Sequence, residues 1–223
     1  MFIEARGIEK TFPAPAFGGG AGLRALAGLD LKAGTGITGL AGPNGSGKTT
    51  ALKVLAGVLL ADSGEVLADG KPESPERLRA LVSYCPANPR GFYFRISAAE
   101  NLRFFGALAG LPPAEAAGAA AELAPPLGLS AADLGRRFDA LSEGTMQKVS
   151  LLRALSRRAP VLLLDEPFRG LDEAACAGLL GLLSGLSGST AVVIASHDAA
   201  LLGKAAGRIL RITDGTNGGE AAR

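Results

Sequence analysis

Eight consecutive residues, Gly42-Pro43-Asn44-Gly45-Ser46-Gly47-Lys48-Thr49, leave this chain little freedom in what it builds around them. Their spacing is G-x-x-x-x-G-K-[ST]. The apolar-leaning Gly36-Ile37-Thr38-Gly39-Leu40-Ala41 precedes them, and the helix-like Thr50-Ala51-Leu52-Lys53-Val54-Leu55-Ala56 follows. Strand, loop and helix in that order is the context a phosphate-binding loop needs. The glycines let the backbone curl so that successive N–H groups point inward at phosphate oxygens, and the start of the following helix adds its positive end. In that geometry Lys48 reaches the β- and γ-phosphates and the Thr49 hydroxyl binds Mg²⁺. The chain has 32 glycines, so a glycine-rich turn is the plainer reading. That reading leaves Lys48 and Thr49 unexplained, and the motif implies a nucleoside triphosphate as ligand.

The 223 residues suit one large domain, or a domain with a subdomain, and are ample for a core. Twenty-three basic side chains stand against 21 acidic ones, with no long basic run, so nothing asks for a nucleic-acid partner. Cys85 and Cys176 match no metal spacing and read as reduced thiols of a cytosolic protein. No apolar stretch reaches the ~18 uncharged residues of a membrane span. Met1-Phe2-Ile3-Glu4-Ala5-Arg6 lacks the pattern of a signal peptide. The expectation is a protein that is soluble or peripheral.

Along the chain, residues 2–8 read as a strand, Pro13 to Gly22 as a loop, and Leu23 to Leu31 as a second strand. Asp69-Gly70 marks the turn of a short hairpin. Residues 77–84 are a further strand candidate, and from about 97 to 158 the pattern is mostly helical, punctuated by Pro112-Pro113 and Pro125-Pro126. Val161 to Leu164 and Ala191 to Ala195 are uninterrupted apolar runs that suit central strands of a parallel sheet. The Gly-rich tail from Asp214 to Arg223 reads as frayed.

The first of those apolar runs ends in Asp165-Glu166-Pro167. A buried strand that exits into acid needs a partner for the charge, and Mg²⁺ with a nucleotide supplies one. Asp165 is then expected in the metal's shell, and Glu166 where it can polarise a water in line with the γ-phosphate. His197 follows the second run, at the C-terminal edge of a strand where open α/β sheets bind ligands. It is a candidate γ-phosphate contact.

The order and spacing of these motifs resemble the nucleotide-binding domain of ABC (ATP-binding cassette) proteins over nearly the whole chain. Leu141-Ser142-Glu143-Gly144-Thr145 stands in the place of the family's LSGGQ signature, Phe168-Arg169-Gly170-Leu171-Asp172 resembles the D-loop, and Phe12 resembles the aromatic residue that stacks on adenine. The resemblance implies an α/β fold: a P-loop NTPase core with a mostly parallel sheet, an N-terminal antiparallel β subdomain and a helical signature subdomain at about 88–158, together forming one domain over 1–223. It implies ATP and Mg²⁺ as cofactors. Lys48, Glu166 and His197 are then the catalytic residues, and Thr49 and Asp165 the metal residues. The nucleotide contacts are Phe12, Gly42, Pro43, Asn44, Gly45, Ser46, Gly47, Lys48, Thr49, Thr50, Ser142, Gly144 and Asp172. In the family the signature faces the γ-phosphate held by the opposite subunit of a dimer, which fits Ser142 as the cap of a helix whose N-terminus meets an anion.

The chain departs from the family at Glu143 and Thr145, where a Gly and a Gln are usual. It departs again after Tyr84-Cys85-Pro86, where Ala87 replaces the Gln of the Q-loop. Alanine ligates nothing; Asn88 is the candidate substitute.

Ile96 to Leu111 looks like the ENLxFFaxLxGL helix of ABC-2-type exporters. Ser97 is the expected N-cap, Glu100 its capping-box partner, and Leu102, Phe105, Leu108 and Ala109 form one apolar stripe. By the same resemblance Phe92, Tyr93 and Phe94, after Asn88-Pro89-Arg90-Gly91, lie at the cleft where a separate transmembrane permease docks. The expectation is an ATPase subunit of an exporter. It works as a homo- or heterodimer at the cytoplasmic face of the membrane and has no nucleic-acid partner. A soluble non-transport ABC ATPase and an importer ATPase are the alternatives.

Overall fold

The computed structural model describes residues 1–14, 22–89 and 91–221. Among them the chain runs β1 (Ile3–Phe12), β2 (Leu23–Ala33), β3 (Gly36–Ala41), α1 (Lys48–Leu55), β4 (Ser63–Ala68), β5 (Lys71–Pro72), α2 (Pro75–Leu81), β6 (Val82–Cys85), α3 (Ala98–Leu108), α4 (Pro113–Leu123) and α5 (Ala131–Gly135). A 3₁₀ turn (Phe138–Ala140) leads into α6 (Glu143–Ser156), β7 (Val161–Asp165), α7 (Glu173–Leu186), β8 (Ala191–Ala195), α8 (Ala199–Ala205), β9 (Arg208–Thr213) and β10 (Thr216–Ala221).

Two sheets result. One has four strands in the order β2-β1-β4-β5 and is antiparallel throughout. The other has six, β10-β9-β3-β8-β7-β6, parallel except for the antiparallel edge pair β9–β10. Strands β7 and β8 are buried along their whole length, as continuous apolar runs covered on both faces must be. Their side chains alternate between two cores. Val161, Leu163 and Val193 join Leu52 and Leu55 of α1 and the antiparallel sheet; Leu162, Leu164, Val192 and Ile194 join α6, α7 and the helical segment. Each such aliphatic side chain removed from water contributes about 1.5–3 kcal/mol. The central strands are therefore anchored from both sides, and their C-terminal ends are held firmly where the polar motifs emerge.

Helix α3 forms as its caps dictate. Ser97 and Glu100 make a reciprocal capping box, with Ser97 N–H donating to Glu100 Oε2 at 2.8 Å and Glu100 N–H to Ser97 Oγ at 3.1 Å.

Several expectations change. The strand read at 77–84 is the helix α2 followed by β6. Ser74 caps the helix, its Oγ accepting from Arg77 N–H, and Pro75 occupies the first turn, so the apolar residues divide between a helix end and a strand start. From Asp214 to Ala221 the tail is not frayed, because β10 returns along β9 after a turn at Asp214-Gly215 with φ of 49° and 73°; residues 222–223 lie outside the described residues. Leu108 of the expected apolar stripe is 74% exposed, although Leu102 and Phe105 pack against the core. Of the loop read at 13–22, residues 15–21 lie outside the described residues, as does Arg90.

Candidate active site

The C-terminal ends of β3, β7 and β8 lie side by side, β3 paired with β8 and β8 with β7. The phosphate-loop sequence, the acidic pair and the histidine leave the sheet from these three ends. Gly47, at φ 103°, sits so close to the Ala25 carbonyl that a Cβ would come within 2.5 Å of it, which fixes this position as glycine. Lys48, buried, folds back over the loop and donates from Nζ to the Gly42 carbonyl at 2.7 Å and the Pro43 carbonyl at 2.9 Å. Burial lowers its pKa from the ordinary lysine value, opposed by the charges of Glu166 and Asp165. The Ser46 Oγ is buried in the same loop without a hydrogen-bond partner.

Thr49, in the first turn of α1, donates from its hydroxyl to Asp165 Oδ2 at 2.9 Å. Asp165 is 1% exposed. Burial raises its pKa above the ordinary carboxylate value and the charge of Glu166 adds to this, while the Thr49 hydrogen bond opposes it. The other oxygen, Oδ1, is buried with no partner. An orphaned, desolvated carboxylate oxygen beside a threonine hydroxyl is the donor set a hard divalent cation takes, and the two residues fit Mg²⁺. Among the described residues no group of three or more His, Cys, Asp or Glu could hold a metal by itself.

Glu166 carries a positive φ of 47° for a non-glycine residue, strain of the kind stored at functional sites. Its N–H donates to the Ala195 carbonyl at 2.8 Å, tying it to the end of β8. Its carboxylate accepts from the Ser196 hydroxyl at 3.1 Å and from His197 N–H at 3.0 Å, and His197 Nδ1 lies 2.9 Å from Oε2. Nε2 of His197 is then on the far side of an exposed ring.

Thr49, Asp165, Glu166 and His197 are thus brought together as the sequence reading expects. Phe12 ends β1 opposite Leu23, with Lys10 Nζ 5.9 Å from its ring centroid. Ser142 caps α6, its Oγ accepting from Thr145 N–H at 3.2 Å. Gly144 approaches Gly170 so closely that a Cβ would meet its carbonyl at 2.4 Å, and Glu143 pairs with Arg169 at 3.0 Å. Asp172 caps α7 through Ala175 N–H at 2.8 Å and holds Lys148 at 2.7 Å. No hydrogen bond among the described residues links Ser142, Gly144 or Asp172 to the phosphate loop. Asn88 is exposed on the bend after β6 and has no hydrogen bond to Asp165 or Thr49. Two residues at the site escape the sequence reading. One is Ser196; the other is Tyr84, whose hydroxyl lies 3.4 Å from Asp165 Oδ2.

Residues 27–169 match the family model described as ABC transporter. The chain belongs to the ABC transporter family. The match carries with it an ABC ATPase domain, and the architecture agrees: an ATP-binding cassette solved as a dimer in a post-hydrolysis state bound to ADP and Pi superimposes with a TM-score of 0.87 at 22% identity, over 98% of this chain and 97% of that one. Among curated relatives, the pyoverdine export ATP-binding/permease protein PvdT of Pseudomonas syringae is 35% identical over 96% of this chain and 33% of its own length. The Fe(3+) ions import ATP-binding protein FbpC of Mesorhizobium japonicum is 32% identical over 96% of this chain and 58% of its own. The chain spans 33% and 58% of the length of these two relatives, 34% and 56% of two others, and from 24% to 76% of further ones. An exporter and an importer stand side by side among them, so family membership leaves the direction of transport open.

Proposed function

We propose that this chain is the ATP-hydrolysing subunit of an ABC transporter, one ATPase unit over 1–223 with its helical subdomain at about 88–158. The observation that carries the reading is the hydrogen-bonded line Thr49–Asp165 and Glu166–His197 at the mouth of the phosphate loop. Lys48 leaves the Gly42 and Pro43 carbonyls for the β- and γ-phosphates, Phe12 stacks on the adenine, and residues Gly42 to Thr50 cradle the phosphates. Mg²⁺, held by Thr49 and Asp165, would neutralise charge on the phosphate oxygens. Glu166 takes a proton from the water that attacks the γ-phosphorus, and His197 presents Nε2 to the γ-phosphate, giving ADP and inorganic phosphate. Ser142, Gly144 and Asp172 act on a second chain: the capped end of α6 meets the γ-phosphate of a homo- or heterodimeric partner.

The same reading docks the chain, at the cytoplasmic face of a membrane, on a cytoplasmic segment of a separate transmembrane permease. Phe92 packs inside, stacked on Phe138 with centroids 4.4 Å apart, while Tyr93, edge-on to the exposed Phe104, is 54% exposed and Phe94, edge-on to Phe138, is 45% exposed. The fully buried Asn101 holds the Tyr93 backbone on both sides, Oδ1 accepting from its N–H at 2.8 Å and Nδ2 donating to its carbonyl at 2.9 Å. A rigid exposed aromatic patch of this kind suits a partner's anchor. A cleft of about 500 Å³ next to it is lined by Arg79, Phe105, Arg153 and Arg157. Export is favoured by the likeness of residues 96–111 to exporter subunits; import is the second reading, supported by the iron-import relative. Among the described residues no helix is long and apolar enough to cross a membrane.

The test is to tag the chain in its native cell, solubilise membranes gently and identify what co-purifies. A multi-span membrane protein in comparable amount is expected, and its cargo fixes the direction. A soluble or ribosomal partner, with none of the chain in the membrane fraction, overturns the transport reading.

A further inference from the structure

Strand β6 runs parallel to β7 with Tyr84 opposite Leu163. Side chains two apart on a strand share a face, so Leu163, Asp165 and the neighbouring Tyr84 all point to the α1 side of the sheet. The phenol packs against the core on that side, and its hydroxyl ends 3.4 Å from Asp165 Oδ2, the oxygen that also takes the Thr49 hydroxyl. Two hydroxyls on Oδ2 leave Oδ1 as the buried oxygen without a partner. The carboxylate is therefore held with one defined oxygen free. Three residues on, in the bend after β6, Ala87 offers no side-chain donor or acceptor, and Asn88 is turned out to solvent.

We propose that Tyr84 is a positioning residue for the metal-binding carboxylate. It is the polar group β6 supplies to the site in a chain whose following bend carries Ala87. Its hydroxyl fixes the Asp165 rotamer and leaves Oδ1 directed to the cation or its water; it does not itself ligate. Partners behind a ligand tune metal affinity by 10–100-fold. A contact of 3.4 Å, shared with Thr49, belongs at the low end.

The proposal rests on the reading of the site as one for a magnesium nucleotide. It is tested on the full chain with Mn²⁺ and a non-hydrolysable ATP analogue, following bound Mn²⁺ by electron paramagnetic resonance. Tyr84→Phe keeps the ring and its packing and removes only the hydroxyl. It is expected to weaken Mn²⁺ binding by about 10-fold, with nucleotide affinity in the absence of metal unchanged. In an Asp165→Asn background the same change has no further effect. Equal Mn²⁺ affinity in wild type and Tyr84→Phe overturns the role of Tyr84 and leaves the nucleotide site standing. So does an equal loss in the Asp165→Asn background, which would put the action of the hydroxyl elsewhere. Failure of the wild type to bind Mn²⁺ with the analogue overturns the nucleotide reading itself.

Discussion

His197 holds both oxygens of Glu166: its backbone N–H donates to Oε1 at 3.0 Å and its Nδ1 lies 2.9 Å from Oε2. Neighbours in space but 31 positions apart in sequence, the two residues are joined because β7 and β8 are adjacent parallel strands that end at the same level. On the proposed reading, in which Glu166 is the base and His197 the phosphate contact, the two act as one unit. His197→Ala keeps the backbone hydrogen bond and loses the ring, and single-turnover hydrolysis is expected to fall by about 10²–10³-fold. Combined with Glu166→Gln it should be no worse than the more severe single change, since residues that act together are non-additive. Multiplying effects would show two independent roles.

Lys48→Ala tests the loop. Hydrogen bonds to charged groups contribute about 1.5–3 kcal/mol, so ATP affinity by calorimetry should drop by about 10- to 100-fold. The thermal stabilisation that ATP gives the wild type should shrink with it. Unchanged affinity would mean that the lysine stays on the Gly42 and Pro43 carbonyls when nucleotide binds.

Asp165 is expected to cost stability in the absence of ligand. Burial raises its pKa above the ordinary 3.8. The stability its neutral form contributes is full below that value and is lost as pH rises through the raised one. Asp165→Asn, which stays neutral, should therefore be more stable than wild type at pH 7 by about 1 kcal/mol, or about 2–4 °C in melting temperature. The advantage should vanish as pH falls towards 4. A melting difference independent of pH would assign the effect to packing instead.

How far the sequence foretells this depends on whether the signal is local. The strand–loop–helix around Lys48, the buried runs into Asp165 and before His197, and the caps at Ser97 and Ser142 are written in consecutive residues, and all form as expected. Non-local features are not legible in that way. Tyr84 reaches Asp165 only because β6 lies beside β7 in a particular register, and Ser196 reaches Glu166 only through the pairing of β7 with β8. The misread stretch at 77–84 has a different cause: its apolar residues are continuous across a helix end and a strand start, and the Ser74-Pro75 start signal lies outside it. At the tail the Asp214-Gly215 turn signal is present, and the glycines after it mask a strand whose partner, β9, supplies the order.

Gly144→Ala probes the close approach of α6 to the segment before α7. A methyl group would meet the Gly170 carbonyl at 2.4 Å, so the two backbones must separate, at about 1–3 kcal/mol. The expected outcome is a melting temperature several degrees lower and slower ATP turnover, with the Thr49–Asp165 hydrogen bond and ATP affinity of the monomer's own phosphate loop unaffected, since on the proposed reading Gly144 acts on the partner's nucleotide. Turnover unchanged at a lowered melting temperature would make this contact structural only.

The central claim is that Glu166 drives hydrolysis of ATP bound at the Lys48 loop. Its most direct test is phosphate release by the purified chain with Mg²⁺ and ATP, wild type against Glu166→Gln, with ATP binding measured on the same samples. The account predicts that both proteins bind ATP with affinities within about threefold of each other and that release falls by at least about 10²-fold in Glu166→Gln. Equal release from the two proteins at equal occupancy would contradict it.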